Sequence, residues 1–208
     1  MKTIAFLFAL VALPLQADLA SDIRSADGWT GYSVPVIDGR HTLCSWDSVT
    51  VMEDDWDRPA TALLVMYEVV RGEVERIRLS SPECRATAQV RWLENVRPQD
   101  SIRFLRSLID GKIVGKKAVT ALALHEDAQD ELLWLARRHP SPSIRSSALF
   151  WVGSRAGGRT AETLRDAIEH DPEDEVKSKA VFGIAQLPDD ESIPILIELL
   201  NTHRSRSV

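Results

Sequence analysis

The side chains that could do chemistry in this sequence fall into three groups: runs of carboxylates, histidines, and hydroxyl or thiol nucleophiles. Glu53, Asp54, Asp55 and Asp57 lie in EDDWD, and Asp171, Glu173, Asp174 and Glu175 lie in DPEDE. A hard cation such as Ca²⁺ needs six or more oxygens at alternating, fixed positions. EDDWD lacks the DxDxDG frame with its turn glycine. DPEDE sits between two helical patterns, where acids favour the start of the next helix. Both runs read as solvated loops or caps. The histidines are His41, His125, His139, His170 and His203. None has HExxH or HxH spacing, so zinc has no two-ligand nucleus. Serines cluster at Ser141, Ser143, Ser146 and Ser147 without a GxSxG motif, where capping and small packing explain them. The SRAGGRT stretch, Ser154 to Thr160, lacks the spacing of a phosphate-binding loop. The expectation is no catalytic, cofactor or metal residue, and no enzyme activity.

The two cysteines, Cys44 and Cys84, take their meaning from the compartment. Residues 1–17 read MKTIAFLFALVALPLQA. Lys2 gives a positive start, Ile4 to Leu13 is an unbroken apolar run, and Ala17 suits cleavage. That run is too short to cross a hydrocarbon core of about 30 Å as a helix. It reads as a secretory signal peptide, and the chain is expected to be exported, periplasmic or secreted. No later apolar run approaches membrane-spanning length, so no membrane insertion is expected once the signal is removed. An exported chain with one cysteine pair should oxidise it. A Cys44–Cys84 disulfide would close 40 residues and contribute roughly 3–4 kcal/mol in the chain-entropy model. A redox thiol is the rival, but there is no CxxC spacing. The formal charge of -6 argues against nucleic acid or an anionic membrane as partner.

The rest of the chain must position whatever acts, and it has two periods. Residues 18–97 read as a β-rich domain. WTGYSVPVIDG is rich in aromatic and β-branched residues and closes on Asp38-Gly39. TALLVMYEVV, Arg71-Gly72 and EVERIRLSS form a hairpin pattern, with Gly72 at the position of positive φ. Its first arm is apolar on both faces, as in a central strand. Its second sets Ile77 and Leu79 against Arg76 and Arg78. ATAQVRWLENV alternates too, with Ala86, Ala88, Val90 and Trp92 on one side. From Pro98 the period is helical, with Asp100-Ser101 expected to cap a helix carrying Ile102, Leu105 and Ile109.

The helical part repeats. HPSPSIRSSALFWVGS from His139 aligns with DPEDEVKSKAVFGIAQ from Asp171 at an offset of 32. Ile144 meets Val176, Ala148 meets Ala180 and Val152 meets Ile184; in the preceding helices Leu132 meets Leu164. An imperfect earlier unit, VGKKAVTALAL, aligns at an offset of 30. Each unit is a helix, a proline-containing turn and a second helix with one apolar stripe. A lone unit cannot bury that stripe, so units stack.

The tracts LLWLARRHPSPSIRSSALFWVG and TLRDAIEHDPEDEVKSKAVFGIAQ resemble short bacterial HEAT repeats over about residues 112–208. No Asp/Arg ladder of the long HEAT type stands out. With GWTGYSVP at Gly28 to Pro35, the whole chain looks like a group of exported bacterial HEAT-repeat proteins. The expected fold is α+β: a small disulfide-stapled β domain over 18–97, then an α-solenoid of short HEAT-like repeats over 98–208. The expected function is binding or scaffolding of another protein in the cell envelope. Alternatives are an enzyme or enzyme accessory like HEAT-like phycobilin lyases or a HEAT-like hydroxylase, or a regulator of an envelope protease or signalling system. The hydroxylase needs repeated His-Glu pairs, and His125-Glu126 is the one such pair here. Phe150 and Phe182 share one repeat position, about 120° off the core stripe at 100° per residue. They are the candidate partner-binding residues; the rival is packing against the adjacent helix. The step of 32 places Val208 at the first core position of another helix, so further repeats are expected to follow.

Overall fold

The structure is a computed structural model that describes residues 18–37, 60, 62–82, 84, 89–155 and 158–202. The leader, Cys44, His41, EDDWD and His203 lie outside these residues. Cys84 is described but Cys44 is not, so no cysteine pair lies among the described residues.

A short helix α1 (Leu19–Arg24) opens the described chain, with the Asp18 carboxylate accepting from the Ala20 amide. Four strands follow: β1 (Gly28–Val34), β2 (Leu63–Val70), β3 (Glu73–Ser80) and β4 (Val90–Trp92). They form one sheet in the order β3-β2-β1-β4. The β2–β3 hairpin is the one its sequence predicts, with Arg71 at φ 53° and Gly72 at φ 81°. Two successive positive φ values match the strand twist, which is why glycine is favoured there. β2 is internal and its apolar arms are buried, as expected. β4 departs from expectation. It spans Val90–Trp92, pairs parallel to β1, and leaves Trp92 45% exposed. Alternation marked a strand, but this edge strand's Trp92 is not covered.

Seven helices follow: α2 (Pro98–Ser107), α3 (Gly115–Leu124), α4 (Gln129–Arg138), α5 (Pro142–Gly153), α6 (Gly158–His170), α7 (Asp174–Ile184) and α8 (Asp189–Thr202). α2 starts earlier than Asp100-Ser101 would place it. Pro98 takes the first turn, where its missing N–H costs nothing. Asp100 instead binds Arg97, and Ser101 is fully buried. The helices alternate between two layers. The second helices α3, α5 and α7 pack side by side, and each first helix packs on its own second helix. The chain is thus α+β, with a small sheet joined to a solenoid-like helical array.

The repeat positions are buried as the 32-residue step demands. Ile144 and Val176, Ala148 and Ala180, Val152 and Ile184 are all at most 6% exposed. The step is also visible where it fails. The position buried at Ala136 and Ile168 is 84% exposed at Leu200. In the earlier units the next helix covers that position, and no helix follows α8 among the described residues. One continuous apolar core runs from Leu19 and Tyr32 in the N-terminal part to Leu199 in α8.

The α5–α7 contact depends on two glycines. A Cβ on Gly153 would stand 2.5 Å from the Gly183 Cα and 2.7 Å from its carbonyl oxygen, both rigid backbone atoms. Gly153→Ala therefore forces two helices apart. We expect a loss of about 2–3 kcal/mol, the upper part of the overpacking range, read as a lowered urea midpoint. An unchanged midpoint would show that α5 and α7 do not approach this closely.

Candidate functional site

One serine–histidine pair has the geometry of a nucleophile and its base. Ser101 Oγ in α2 lies 2.7 Å from His125 Nε2, and His125 Nδ1 lies 2.8 Å from the Ala121 carbonyl oxygen. The chain continues into the sheet: Tyr32 Oη is 2.7 Å from Ser101 Oγ and 2.6 Å from Tyr67 Oη. A carbonyl only accepts, so Nδ1 carries the proton and Nε2 accepts from Ser101. Ser101 then accepts from Tyr32, and Tyr32 from Tyr67. Every hydroxyl in the row donates once, in one direction.

That row is sealed. Tyr32, Tyr67 and Ser101 are 0% exposed and His125 is 1% exposed. Burial pushes the Tyr32 hydroxyl up to about 12 and that of Tyr67 well above its ordinary value. For His125, burial pushes the pKa below the usual histidine range; the Ala121 carbonyl and Asp127 oppose this, and the Arg155 charge adds to it. The pair is closed to solvent, and its hydrogen bonds join the sheet to the helices. A fully hydrogen-bonded polar row inside an apolar core fixes relative position. Beside it, Val36 forms a β-bridge to His125, and the Ile37 amide donates to the Leu124 carbonyl.

Two arginines complete the joints between units. Arg155, 4% exposed, donates to the carbonyls of Ala123 and His125 and to the Gln129 side chain. The last carbonyls of α3 lack partners within the helix, and this cation supplies them. The loop reading of SRAGGRT missed this. The signal was an arginine just beyond the end of α5, at Gly153, a place suited to reaching a neighbour's carbonyls. Arg145, in α5, holds Asp171 of the next turn with two bonds of 2.7 and 2.9 Å and donates to the His139 and Pro140 carbonyls. This is a single Arg–Asp link between neighbouring proline turns, and at the next step of 32 the positions hold Lys177 and His203. Asp171 belongs to DPEDE, yet it bonds Arg145 and the Glu173 amide, while Asp174 and Glu175 occupy the first turn of α7. Of the clustered serines, Ser141 stands at the start of α5 without a side-chain capping bond. Ser146 is buried with no hydrogen-bond partner for its Oγ, so small size explains it and capping does not.

The remaining histidines are not gathered. His139 is buried at the α4–α5 turn, 3.2 Å from Asp110, and His170 is exposed beside Asp166. No group of metal-ligating side chains occurs among the described residues. A shallow cleft of about 350 Å³ lies between the two proline turns, lined by Arg138, His139, Arg145, His170 and Asp171.

Phe150 and Phe182 do come together. Their rings stack with centroids 5.8 Å apart and planes 11° from parallel. Trp151 meets Phe150 edge-on at 5.1 Å, and the Lys179 ammonium stands 5.8 Å from the Phe182 ring. Phe150 is half-buried, and Phe182 is 46% exposed. Each ring covers part of the other, and Phe182 still faces solvent.

The comparison with known families fits this layout. Residues 129–208 match the family model for HEAT repeats. Over these residues the chain is similar to HEAT repeats. The match starts at α4, and the same helix pairing extends one unit earlier, where α3 packs on α5. No curated protein and no solved structure matched the chain.

Proposed function

We propose that this chain is a non-catalytic binding or scaffold protein that engages another protein through its HEAT-repeat surface. HEAT repeats commonly serve this role, since stacked helix pairs present a long continuous face. The observation that carries the reading is the stacked Phe150–Phe182 pair at equivalent repeat positions, with Phe182 46% exposed. Aromatic rings presented on a rigid layer are the side chains from which interface hot spots are built. The Ser101–His125 pair, buried out of reach, gives an enzyme reading no support.

The setting we propose is the cell envelope or its exterior. The leader-like residues 1–17 support it. A Cys44–Cys84 disulfide belongs to the same proposal. It is supported by the two-cysteine count, and non-reducing against reducing mass analysis of exported protein would read it directly.

The test of function is affinity capture from an envelope extract, with wild type and Phe182→Ser side by side. A stoichiometric protein held by wild type and lost at least tenfold by the variant is the expected result. No stoichiometric partner, or equal capture by both, would overturn the reading. So would one or two iron or zinc ions per purified chain, which would restore the hydroxylase-type alternative.

A further inference from the structure

The second helices present their exposed residues in matching rows. Offsets of 30 and 32 align Lys117 of α3 with Ser147 of α5 and Lys179 of α7. One turn later they align Thr120, Phe150 and Phe182. Ser147, Phe150 and Thr120 are half-buried, and Lys179 and Phe182 are exposed. Across the layer, a row carrying ammonium groups therefore runs beside a row carrying aromatic rings.

The lysines of this band form no ion pair among the described residues, and the Lys179 ammonium stands over the Phe182 ring. The ion pairs among these residues use arginines and histidines as cations, and Lys116 takes part in none either. Glu175 precedes Lys179 by one turn in α7, and the two form no ion pair. Lys117 is half-buried, and burial alone lowers its pKa. A partly desolvated ammonium without a counter-ion gains from an incoming anion. Lys117 and Lys179 thus offer two positive charges on a chain whose formal charge is -6.

From this geometry we infer that the second-helix layer binds an extended acidic peptide segment in which acidic and apolar residues alternate. The inference rests on the protein-binding reading above and names its partner's chemistry. Helices in contact stand about 8–10 Å apart, so Lys117 and Lys179, two helices apart, are separated by roughly 16–20 Å. An extended chain rises about 3.3 Å per residue and sends successive side chains to opposite sides. Acids about six residues apart thus reach both lysines from one edge. The apolar residues between them point to the other edge, over Phe150 and Phe182.

The test is fluorescence anisotropy of a labelled peptide alternating glutamate and leucine, titrated with the full chain. A second peptide carries lysine in place of glutamate. The acidic peptide is expected to bind, with affinity lost about tenfold in the Lys117→Gln, Lys179→Gln double variant and reduced as salt is raised. Lys179 is exposed and Lys117 half-buried, and circular dichroism of the variant checks that it folds. Equal binding of the two peptides, or an unchanged affinity of the double variant, overturns the inference. Preferential binding of vesicles containing anionic lipid over neutral ones would also overturn it, because the band would then read a membrane surface. If the captured envelope partner depends on Phe182 but not on the two lysines, the protein-binding reading stands and this inference falls.

Discussion

Arg145→Ala will lower the stability of the helical array by about 3 kcal/mol, the low end of the range for breaking one side of a buried ion pair. Arg145 is 8% exposed and spends its donors on both Asp171 oxygens and two carbonyls. Alanine leaves a carboxylate and two carbonyls of the proline turns without these partners. The low end applies because the cleft beside Asp171 admits water to part of the gap. Arg145→Lys keeps the charge but loses the planar fork, and should fall between wild type and alanine. Urea denaturation at pH 7 measures all three proteins. An alanine variant within about 0.5 kcal/mol of wild type, the spread of ordinary surface substitutions, would show that the link carries little.

The same link has a pH signature. Burial pushes the Asp171 carboxyl up, but bonds from Arg145 and the Glu173 amide outweigh it and hold the group below the usual carboxylate range. Its contribution is present above the unfolded value of about 3.9 and is lost as pH falls through the lower folded value.

The second large effect appears at milder acidity. His125 is held neutral in the fold, below its ordinary pKa, chiefly by burial. The unfolded chain takes up that proton first, so stability is complete above about pH 6.5 and falls below it. The slope approaches about 1.4 kcal/mol per pH unit for one proton. Once the ring is charged, Nε2 also donates. Tyr67, Tyr32 and Ser101 then have three hydroxyl protons and two gaps among them, so one buried hydroxyl loses its acceptor. The groups facing the ring are Ser101 from α2, Tyr32 and Tyr67 behind it in the sheet, the Arg155 cation and the Asp127 carboxylate. Burial, Arg155 and the orphaned hydroxyl oppose protonation; the Ala121 carbonyl and Asp127 favour it and are outweighed. Thermal unfolding from pH 7.5 to 5.5 should therefore show a falling midpoint in wild type and a flat one in His125→Gln. His139 is present in both, so the difference belongs to His125. Parallel pH curves for the two proteins would refute the assignment. The direction of the row gives a second readout. Tyr67→Phe removes a donor at the end and leaves every other hydroxyl donating. Ser101→Ala strands the Tyr32 proton and the His125 acceptor, so it should cost more.

These two networks mark the boundary of what the sequence discloses. The 32-residue step placed Ile144, Ala148, Val152 and their successors in the core, because stacking imposes one burial pattern on every unit. The hairpin was legible from Arg71-Gly72, because its turn needs φ > 0. The start of α2 was misjudged because capping residues were weighed above Pro98. The link between Arg145 and Asp171 was hidden because the acids of DPEDE had an adequate local explanation as loop or capping residues, and Arg145 lies 26 residues away in sequence. The row from Tyr67 to His125 joins positions with no shared period, so no sequence pattern could bring them together. Phe150 and Phe182 stood out because recurrence at a non-core position is itself a periodic signal.

The spacing of these contacts also orders events in time. Arg106 bonds Glu131 and Arg137 bonds Glu162 across 25 residues each, and Arg145 reaches Asp171 across 26. The Thr30 hydroxyl donates to the Arg91 carbonyl across 61 residues, and Tyr32 meets Ser101 across 69. Closing a longer loop costs more entropy, and distant contacts slow folding. Each helix pair can settle soon after its own residues are synthesised. The strand carrying Thr30 and Tyr32 leaves the ribosome early, yet its polar partners arrive with Arg91, Ser101 and His125. The sheet emerges first but is anchored only once α2 and the end of α3 have followed it.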